Sequence, residues 1–154
     1  MKDLTKKLAD VQTKLKAKKS SYNRATQSYR QPGSSAKPFI YQVALNLGYS
    51  TASNLIDISR TYKYKSNTNE QKTWQPRNYE KDYKGLVTLR YALVHSRNLA
   101  TINLVNEIGI DVLYKGLLRY GFKDIPYDMS ITLGSFGISP LDLSQKYTIF
   151  SNKG

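Results

Sequence analysis

The chain has 154 residues, of which 40% are hydrophobic and 12% aromatic, so it is long enough for one domain with a buried core and unlike a disordered polypeptide. Its formal net charge of +13 predicts attraction to polyanions such as nucleic acid, anionic lipid or acidic cell-wall polymer, without choosing among them. Cysteine is absent and histidine occurs once, at His95, which excludes disulfides, a cysteine nucleophile and a thiolate or His-rich metal site.

The amino-terminal segment predicts a basic amphipathic helix from Lys2 to Lys19. Leu4, Leu8, Val11 and Leu15 recur there at helical spacing among lysines. The apolar stripe is narrow, which favours a solvated helix packed by one edge over a membrane-surface or nucleic-acid helix. The segment lacks the apolar core of a signal peptide, and we expect no targeting signal in this chain.

A second helix is predicted from about Ser34 to Leu47, between a Pro32-Gly33 turn and Gly48. Pro38 is compatible with this helix because the first N–H groups of a helix have no internal partner. The polar segment that follows, from Arg60 to Gly85, is too long for a simple connection.

Two interpretations of the segment from Arg60 to Gly85 stay open: it borders a binding site, or it is a solvated surface insertion. Trp74 and Tyr79 are the residues in it that we expect to pack against the body.

The second half of the chain predicts a helix, a short break and another helix. Thr88 can cap a helix that runs to His95, and the next helix runs from Leu99 to Ile108. The break between them is Ser96-Arg97-Asn98. Two further helices are predicted, from Asp111 to Tyr120 and from a start at Ser139-Pro140-Leu141-Asp142.

Ser34 and Lys37 have the spacing of a nucleophile and its base on one helical face. A lysine serves as a base only when burial or nearby positive charge lowers its pKa. A helix start would also help to stabilise an oxyanion. Chance alone supplies about two Ser-x-x-Lys matches in a chain this rich in serine and lysine, and composition alone favours a helix cap as the role of Ser34. Ser-x-Asn is no more specific, since it occurs at Ser21-Tyr22-Asn23 as well as at Ser96-Arg97-Asn98.

Longer blocks of sequence decide between these alternatives. NRATQSYRQPGSSAKPFIY, WQPRNY, VTLRYALVHSRNLATINLVNEIGI and ITLGSFGISPLDLSQKYTIFSNKG occur in the order and approximate spacing of the transpeptidase domain of class A penicillin-binding proteins. The chain resembles that family over residues 22–154, with residues 1–21 as a basic helix outside the resemblance. The implied fold is α+β, of the serine β-lactamase and penicillin-binding transpeptidase type. The expectation is a partial domain that covers mainly the helical part and lacks core-sheet strands.

The resemblance also implies roles for individual residues. Ser34 matches the acylated nucleophile and Lys37 its proton acceptor, in the Ser-x-x-Lys pattern of penicillin-binding proteins. Ser96 matches the serine that relays a proton to the leaving amine. Asn98 matches the amide that holds Lys37 and binds the substrate peptide. Arg97 is interpreted as a variable middle residue, and His95, which matches no catalytic position, as structural.

The implied reaction is D,D-transpeptidation, in which a serine ester links two peptidoglycan stem peptides during cell-wall synthesis. The expected partners are stem peptides, with β-lactams as inhibitors, and no nucleic acid. No metal or organic cofactor is implied. The full-length protein is expected to be membrane-anchored, at the periplasmic or extracytoplasmic face of the bacterial inner membrane.

One expected element of the family pattern is not found: no Lys-Thr-Gly or Lys-Ser-Gly occurs in the sequence. We therefore expect the chain to be inactive by itself. Two alternatives stay open. One is a stand-alone D,D-carboxypeptidase or β-lactamase-like serine hydrolase, and the other is a non-enzymatic binding module that uses its basic helix.

Overall fold

The computed structural model describes residues 4–11, 22–65 and 71–152. Residues 4–11 are helical and are called α1. The other elements follow in chain order: α2 (Arg24–Gln27), a 3-10 turn (Gly33–Ala36), α3 (Lys37–Asn46), β1 (Asn54–Asp57), β2 (Tyr62–Lys65), β3 (Gln71–Trp74), β4 (Gly85–Thr88), α4 (Leu89–Val94), α5 (Asn98–Ile108), α6 (Ile110–Arg119), a second 3-10 turn (Met129–Leu133) and α7 (Pro140–Ser151). The described part of the chain is therefore mainly helical with four short strands, which confirms the predicted α+β class.

Helix α3 is the centre of the fold because its side chains are buried on both flanks. Phe39 packs with Leu117 of α6 in one apolar cluster. Tyr41 packs with Leu55 of β1 in a second cluster. A helix that is apolar all round is stable only when it is covered all round. The first turn of α3 is covered too, which buries the side chain of Lys37.

The predicted helix start at Ser34 is confirmed, with one difference in geometry. The first four residues, Gly33–Ala36, form a 3-10 turn, and α-helical geometry begins at Lys37. Pro38 lies within the first turn of α3, where its missing N–H leaves no hydrogen bond unmade. Ser34 and Lys37 therefore lie on successive pieces of one continuous helical segment.

Two antiparallel pairs of strands occur in the described part of the chain. β1 pairs with β4, with Leu55 opposite Val87, and both of these side chains face the core. β2 pairs with β3, where the rings of Tyr62 and Trp74 lie 5.6 Å apart. The segment from Arg60 to Gly85 is thus not a structureless loop, because it contains this hairpin and then returns to β4.

The helices of the second half have the predicted caps. The hydroxyl of Thr88 accepts a hydrogen bond from the N–H of Tyr91 at the start of α4. Ser139 caps α7 in the same way, by accepting from the N–H of Asp142 at 3.2 Å. The break between α4 and α5 lies at residues 95–97, one residue earlier than predicted, because Asn98 is already the first residue of α5.

The predicted basic helix is present over residues 4–11, and residues 2–3 and 12–19 of the prediction lie outside the described residues. Its apolar side chains in this range are largely exposed, since Leu4, Leu8 and Val11 are 70%, 57% and 55% exposed. No helix in the described part of the chain is both long and apolar enough to cross a membrane.

Candidate active site

Ser34 is an exposed residue of the 3-10 turn that leads into α3. Its side chain caps neither the turn nor α3, so the cap interpretation is not what the structure shows. The turn is held from behind by two contacts. The N–H of Gly33 donates to the carbonyl of Gly134 at 3.4 Å, and the hydroxyl of Tyr147 donates to the carbonyl of Ser35 at 2.8 Å. Ser34 itself stays exposed to solvent.

The ammonium group of Lys37 joins the two sequence motifs. It donates to the carbonyl oxygen of Ser96 at 2.6 Å, to Ser96 Oγ at 3.0 Å and to Asn98 Oδ1 at 2.7 Å. The residue is 1% exposed, and a buried ammonium needs a partner for each of its three N–H donors. The three acceptors meet that requirement, so this lysine is buried without an unmade hydrogen bond.

Burial lowers the pKa of Lys37 from 10.5 to about 8, while the carboxylate of Glu80 acts in the opposite direction and raises it. Loss of water around the ammonium disfavours the charged form, and this effect outweighs the attraction to Glu80. A lysine with such a pKa is neutral in a useful fraction of molecules near neutral pH. It can therefore accept a proton, which an ordinary surface lysine rarely does.

Ser96 lies in a backbone conformation that non-glycine residues seldom adopt, with φ of 51°. The turn around it is closed by two backbone hydrogen bonds, from Ser96 to the carbonyl of Leu93 and from Arg97 to the carbonyl of Ala92. The result is that both the carbonyl and the hydroxyl of Ser96 point at Lys37, while the residue stays exposed. A strained residue of this kind persists where several contacts with the surrounding structure fix its conformation.

The side-chain amide of Asn98 has a defined orientation because it is bound on both sides. Its oxygen accepts from Lys37, and its nitrogen donates to the carbonyl of Arg77 at 3.1 Å. Asn98 is the first residue of α5, so the amide lies at the amino end of that helix.

Arg97, which the sequence interpretation treats as a variable middle residue, is buried and makes ion pairs next to the site. It is 3% exposed, and its Nε and Nη2 atoms donate to one oxygen of Asp57 at 2.9 and 2.5 Å. Its Nη1 atom lies 2.7 Å from Asp82 and 3.3 Å from Glu80. One signal in the sequence could have revealed this pairing. Asp57 alternates with Leu55 on the buried face of β1, and a buried carboxylate requires a cation or several donors.

The segment after β3 folds against the active site, which favours the binding-site interpretation of this region. The expectation for Tyr79 is wrong, since its side chain is 94% exposed, and Asn78 is buried in its place. The amide of Asn78 donates to Asp57 and accepts from the N–H of Leu99. The buried side chain is therefore that of Asn78, which makes these hydrogen bonds, while the larger aromatic side chain of Tyr79 is exposed. Trp74 is partly buried, as expected.

The structure brings together Lys37, Ser96 and Asn98, with Ser34 in the turn just before Lys37. Among the described residues, Ser34 Oγ is not one of the three acceptors of the lysine ammonium. Hydrogen bonds of catalytic groups are often long before substrate binds. His95 lies outside this group, with its ring stacked 3.9 Å from that of Tyr91, which agrees with a structural role.

No group of three or more His, Cys, Asp or Glu residues in the described part of the chain could hold a metal ion. Ser34, Lys37 and Ser96 offer acid–base and nucleophilic chemistry. Ser34 is an exposed serine, Lys37 is a buried lysine with a lowered pKa, and the hydroxyl of Ser96 accepts a hydrogen bond from that lysine.

Comparison with known proteins agrees with the site. The family model of the penicillin binding protein transpeptidase domain matches residues 5–154. The chain therefore belongs to the family of penicillin-binding protein transpeptidase domains. The match begins before residue 22, and the boundary predicted there stays a prediction.

Several relatives of the chain are named penicillin-binding protein 1A, in agreement with the resemblance to class A proteins. The chain is 38% identical to penicillin-binding protein 1A of Neisseria flavescens over 136 residues, which is 87% of this chain and 17% of that protein. It is also 38% identical to penicillin-binding protein 1A of Aquifex aeolicus, over 88% of this chain and 18% of that protein. The chain thus spans less than a fifth of the length of these relatives.

Solved structures share the fold. Penicillin-binding protein 1A from Haemophilus influenzae matches 86% of this chain and 20% of its own, with a TM-score of 0.80 and 38% identity. Penicillin-binding protein A from M. tuberculosis, solved as an imipenem acyl-enzyme complex, matches 95% of this chain and 38% of its own, with a TM-score of 0.73 and 22% identity. These matches confirm the predicted family and the partial α+β transpeptidase fold.

Proposed function

We propose that this chain is the nucleophile-bearing part of a peptidoglycan D,D-transpeptidase of the class A type. The observation that carries the proposal is the three-way contact of the Lys37 ammonium with Ser96 and Asn98, two motif residues about sixty positions away in sequence. Membership of the transpeptidase family supports it independently.

In the first half of the reaction, Ser34 Oγ attacks the carbonyl carbon of the penultimate D-alanine of a stem peptide. The neutral amine of Lys37 takes the hydroxyl proton, which turns a weak nucleophile into an alkoxide-like one. As the C–N bond breaks, Ser96 donates its hydroxyl proton to the departing amine and regains a proton from the Lys37 ammonium, so D-alanine leaves with a neutral amine and Lys37 becomes neutral again. Ser34 is then held as an ester.

In the second half, an amine of a neighbouring stem peptide attacks the ester carbonyl. Its proton returns through the same Ser96 and Lys37 groups, the ester C–O bond breaks, and Ser34 regains its hydrogen. The side-chain amide of Asn98 keeps Lys37 oriented and faces the peptide backbone of the donor. Splitting one transfer into two steps through a covalent ester is the general advantage of nucleophilic catalysis.

β-Lactams enter the proposal as substrates that stop at the ester stage. Support comes from the M. tuberculosis relative, whose structure is described as an imipenem acyl-enzyme complex. The proposed partners are therefore stem peptides and β-lactams. The proposed place of action is the extracytoplasmic face of the bacterial inner membrane, with a membrane-anchored full-length protein.

We further propose that residues 1–154 do not acylate efficiently by themselves. In this family a Lys-Ser-Gly or Lys-Thr-Gly strand binds the substrate carboxylate beside the serine, and that tripeptide does not occur in this sequence. Removal of one oxyanion-hole donor alone costs roughly 10² to 10³ in rate. The full site is expected in a protein that also contains such a strand.

The direct test is covalent labelling of the product of the complete reading frame with a fluorescent penicillin. Peptide mapping is expected to place the label on Ser34, and Ser34→Ala is expected to abolish labelling. Ser35→Ala is the matched control, because it removes the adjacent hydroxyl and leaves the Ser-x-x-Lys spacing intact. Labelling of Ser34→Ala at the wild-type rate would reject the proposal.

The same probe applied to the 154-residue chain tests the second claim. Labelling more than a hundred-fold slower than in the full product is expected from the oxyanion argument above. Equal labelling of the two proteins would show that the additional strand is dispensable for acylation, while leaving the role of Ser34 intact. Release of the acyl group to an added D-amino acid, in preference to water, would favour the transpeptidase over a carboxypeptidase or hydrolase.

A further inference from the structure

An ion cluster with a buried centre lies beside the turn that presents Ser96 and Asn98 to Lys37. Its centre is the guanidinium of Arg97, which pairs with the buried carboxylate of Asp57 and with the more exposed carboxylates of Asp82 and Glu80. Arg97 is the residue between the two motif residues, so the position of its backbone bears on both of them.

Asp57 is 0% exposed and saturated with hydrogen bonds. One of its oxygens accepts from the amide of Asn78, and the other accepts from Arg97 twice and from the backbone N–H of Lys84. A carboxylate that accepts so many bonds holds its donors in place, because each lost bond would leave a buried charge under-solvated. The cluster thus joins β1, α5 and the segment before β4 at one point.

Arginine suits this position for a geometric reason. The fork of Nε and Nη2 meets Asp57, while Nη1 reaches Asp82 at 2.7 Å on the other side. A lysine has one compact ammonium and cannot span two carboxylates on opposite sides with the same directionality.

The backbone of the turn is also held from the α3 side. The carbonyl of Arg97 accepts from the hydroxyl of Thr101 at 2.8 Å, and Thr101 is bonded in turn to the hydroxyl of Tyr41 at 2.9 Å. Tyr41 lies one helical turn after Lys37 on α3. Helix α3 therefore contacts the turn directly through Lys37 and indirectly from Tyr41, through Thr101, while the Arg97 side chain adds the contacts with Asp57 and Asp82.

We propose that Arg97 is a positioning residue for acylation: its contacts with Asp57 and Asp82 hold the Ser96–Asn98 turn, with Ser96 in its left-handed conformation, so that Ser96 and Asn98 meet Lys37. This inference rests on the proposed function of Ser34 and Lys37. Arg97 itself touches no reacting atom. Its effect is on the placement of the groups that do, and a displacement of about 1 Å in such groups can cost on the order of 10² in rate.

The experiment measures two quantities in the product of the complete reading frame: the first-order rate constant of acylation by a fluorescent penicillin at saturating concentration, and the fraction of molecules that become labelled. Arg97→Met is expected to lower the rate constant about 10- to 100-fold among the molecules that label. Arg97→Lys is expected to lie between Arg97→Met and wild type, because it restores the charge without the fork.

Leu113→Ala is the control for stability alone. Leu113 is buried in the apolar cluster of α3 and α6 and has no part in the Arg97 network. Its truncation is expected to lower the melting temperature and the labelled fraction while leaving the rate constant of the labelled molecules at the wild-type value.

Three results would overturn the inference. The first is a wild-type rate constant in Arg97→Met with only a smaller labelled fraction, since that is the signature of a purely structural role. If Arg97→Met does not fold, a wild-type rate constant in Arg97→Lys is the equivalent result. The third is an equal fall of the rate constant in Leu113→Ala. An unlabelled wild-type protein would reject the proposed function and this inference together, whereas the other outcomes bear on Arg97 alone.

Discussion

The pKa of Lys37 leads to the sharpest prediction, because it ties the rate of acylation to pH. The lysine must be neutral to accept the proton of Ser34, and burial lowers its pKa to about 8. Acylation measured as kcat/KM with a penicillin is therefore expected to rise with pH and to level off above about pH 8. The rising part of this pH profile of kcat/KM gives the pKa of Lys37 in the free enzyme.

The size of the effect follows from the pKa. At pH 7 a lysine with a pKa of about 8 is neutral in about 9% of molecules, against about 0.03% for a pKa of 10.5, a gain of roughly 300-fold. Between pH 6 and pH 8 the neutral fraction, and with it kcat/KM, is expected to rise about 50-fold.

A substitution at Glu80 tests the cause of the pKa. The Glu80 carboxylate raises the pKa of Lys37, so Glu80→Gln is expected to move the midpoint of the pH profile downward. Asp124→Asn is the matched control, because it removes an exposed carboxylate that does not figure among the causes of the Lys37 shift. Stopped-flow acylation between pH 5.5 and 9.5 at constant ionic strength resolves the two midpoints.

Stability offers an independent view of the same pKa. The folded pKa lies below the unfolded one, so between about pH 8 and pH 10.5 the unfolded chain binds more protons and the free energy of unfolding rises with pH. The rise is at most about 3 kcal/mol, and it is expected to be missing in Lys37→Met.

A flat rate profile of acylation from pH 6 to 9, or a midpoint near the ordinary lysine value, would refute the assignment of Lys37 as the base.

Two further substitutions probe the turn that carries Ser34. Gly134 has φ of 67°, and a Cβ there would lie 2.3 Å from the carbonyl oxygen of Gly33, so Gly134→Ala is expected to lower both stability and the acylation rate. Gly48→Ala is its control, because Gly48 has φ of 97° with no atom within 4 Å, and it is expected to cost only the backbone strain of about 1–2 kcal/mol in a urea titration. An equal loss in both variants would show that the contact with Gly33 is unimportant. Tyr147→Phe removes the hydrogen bond to Ser35 and is expected to cost about 1 kcal/mol of stability, and an unchanged urea midpoint would contradict that value.

The features that local chemistry governs were predictable from the sequence. Helix starts at Thr88 and Ser139 follow from side chains that accept a hydrogen bond within three residues, and both caps are present. The break near Ser96-Arg97-Asn98 and the continuous helical segment through Ser34 and Lys37 were also predicted, although the helices that begin there have no side-chain cap. The longer blocks of sequence identified the family, which the comparison with known proteins confirms.

The polar network could not be predicted in the same way. By its size and apolar surface, Tyr79 is a better candidate for burial than Asn78. Asn78 is buried instead, because its amide hydrogen-bonds both Asp57 and the N–H of Leu99 in the first turn of α5. Burial of a polar side chain depends on partners that are distant in sequence, and their positions are unknown until the chain is folded.

By itself, then, the sequence determined the helical framework, the family and the four residues that carry the proposed chemistry. Only the tertiary structure decided that Lys37 is 1% exposed, that its ammonium meets Ser96 and Asn98, and that the buried Arg97 pairs with the buried Asp57. The physical reason is the range of the interactions. Helix capping and i to i+3 spacing act within one turn of chain, whereas desolvation, pKa and ion pairing are set by atoms that the fold brings together from about sixty residues apart.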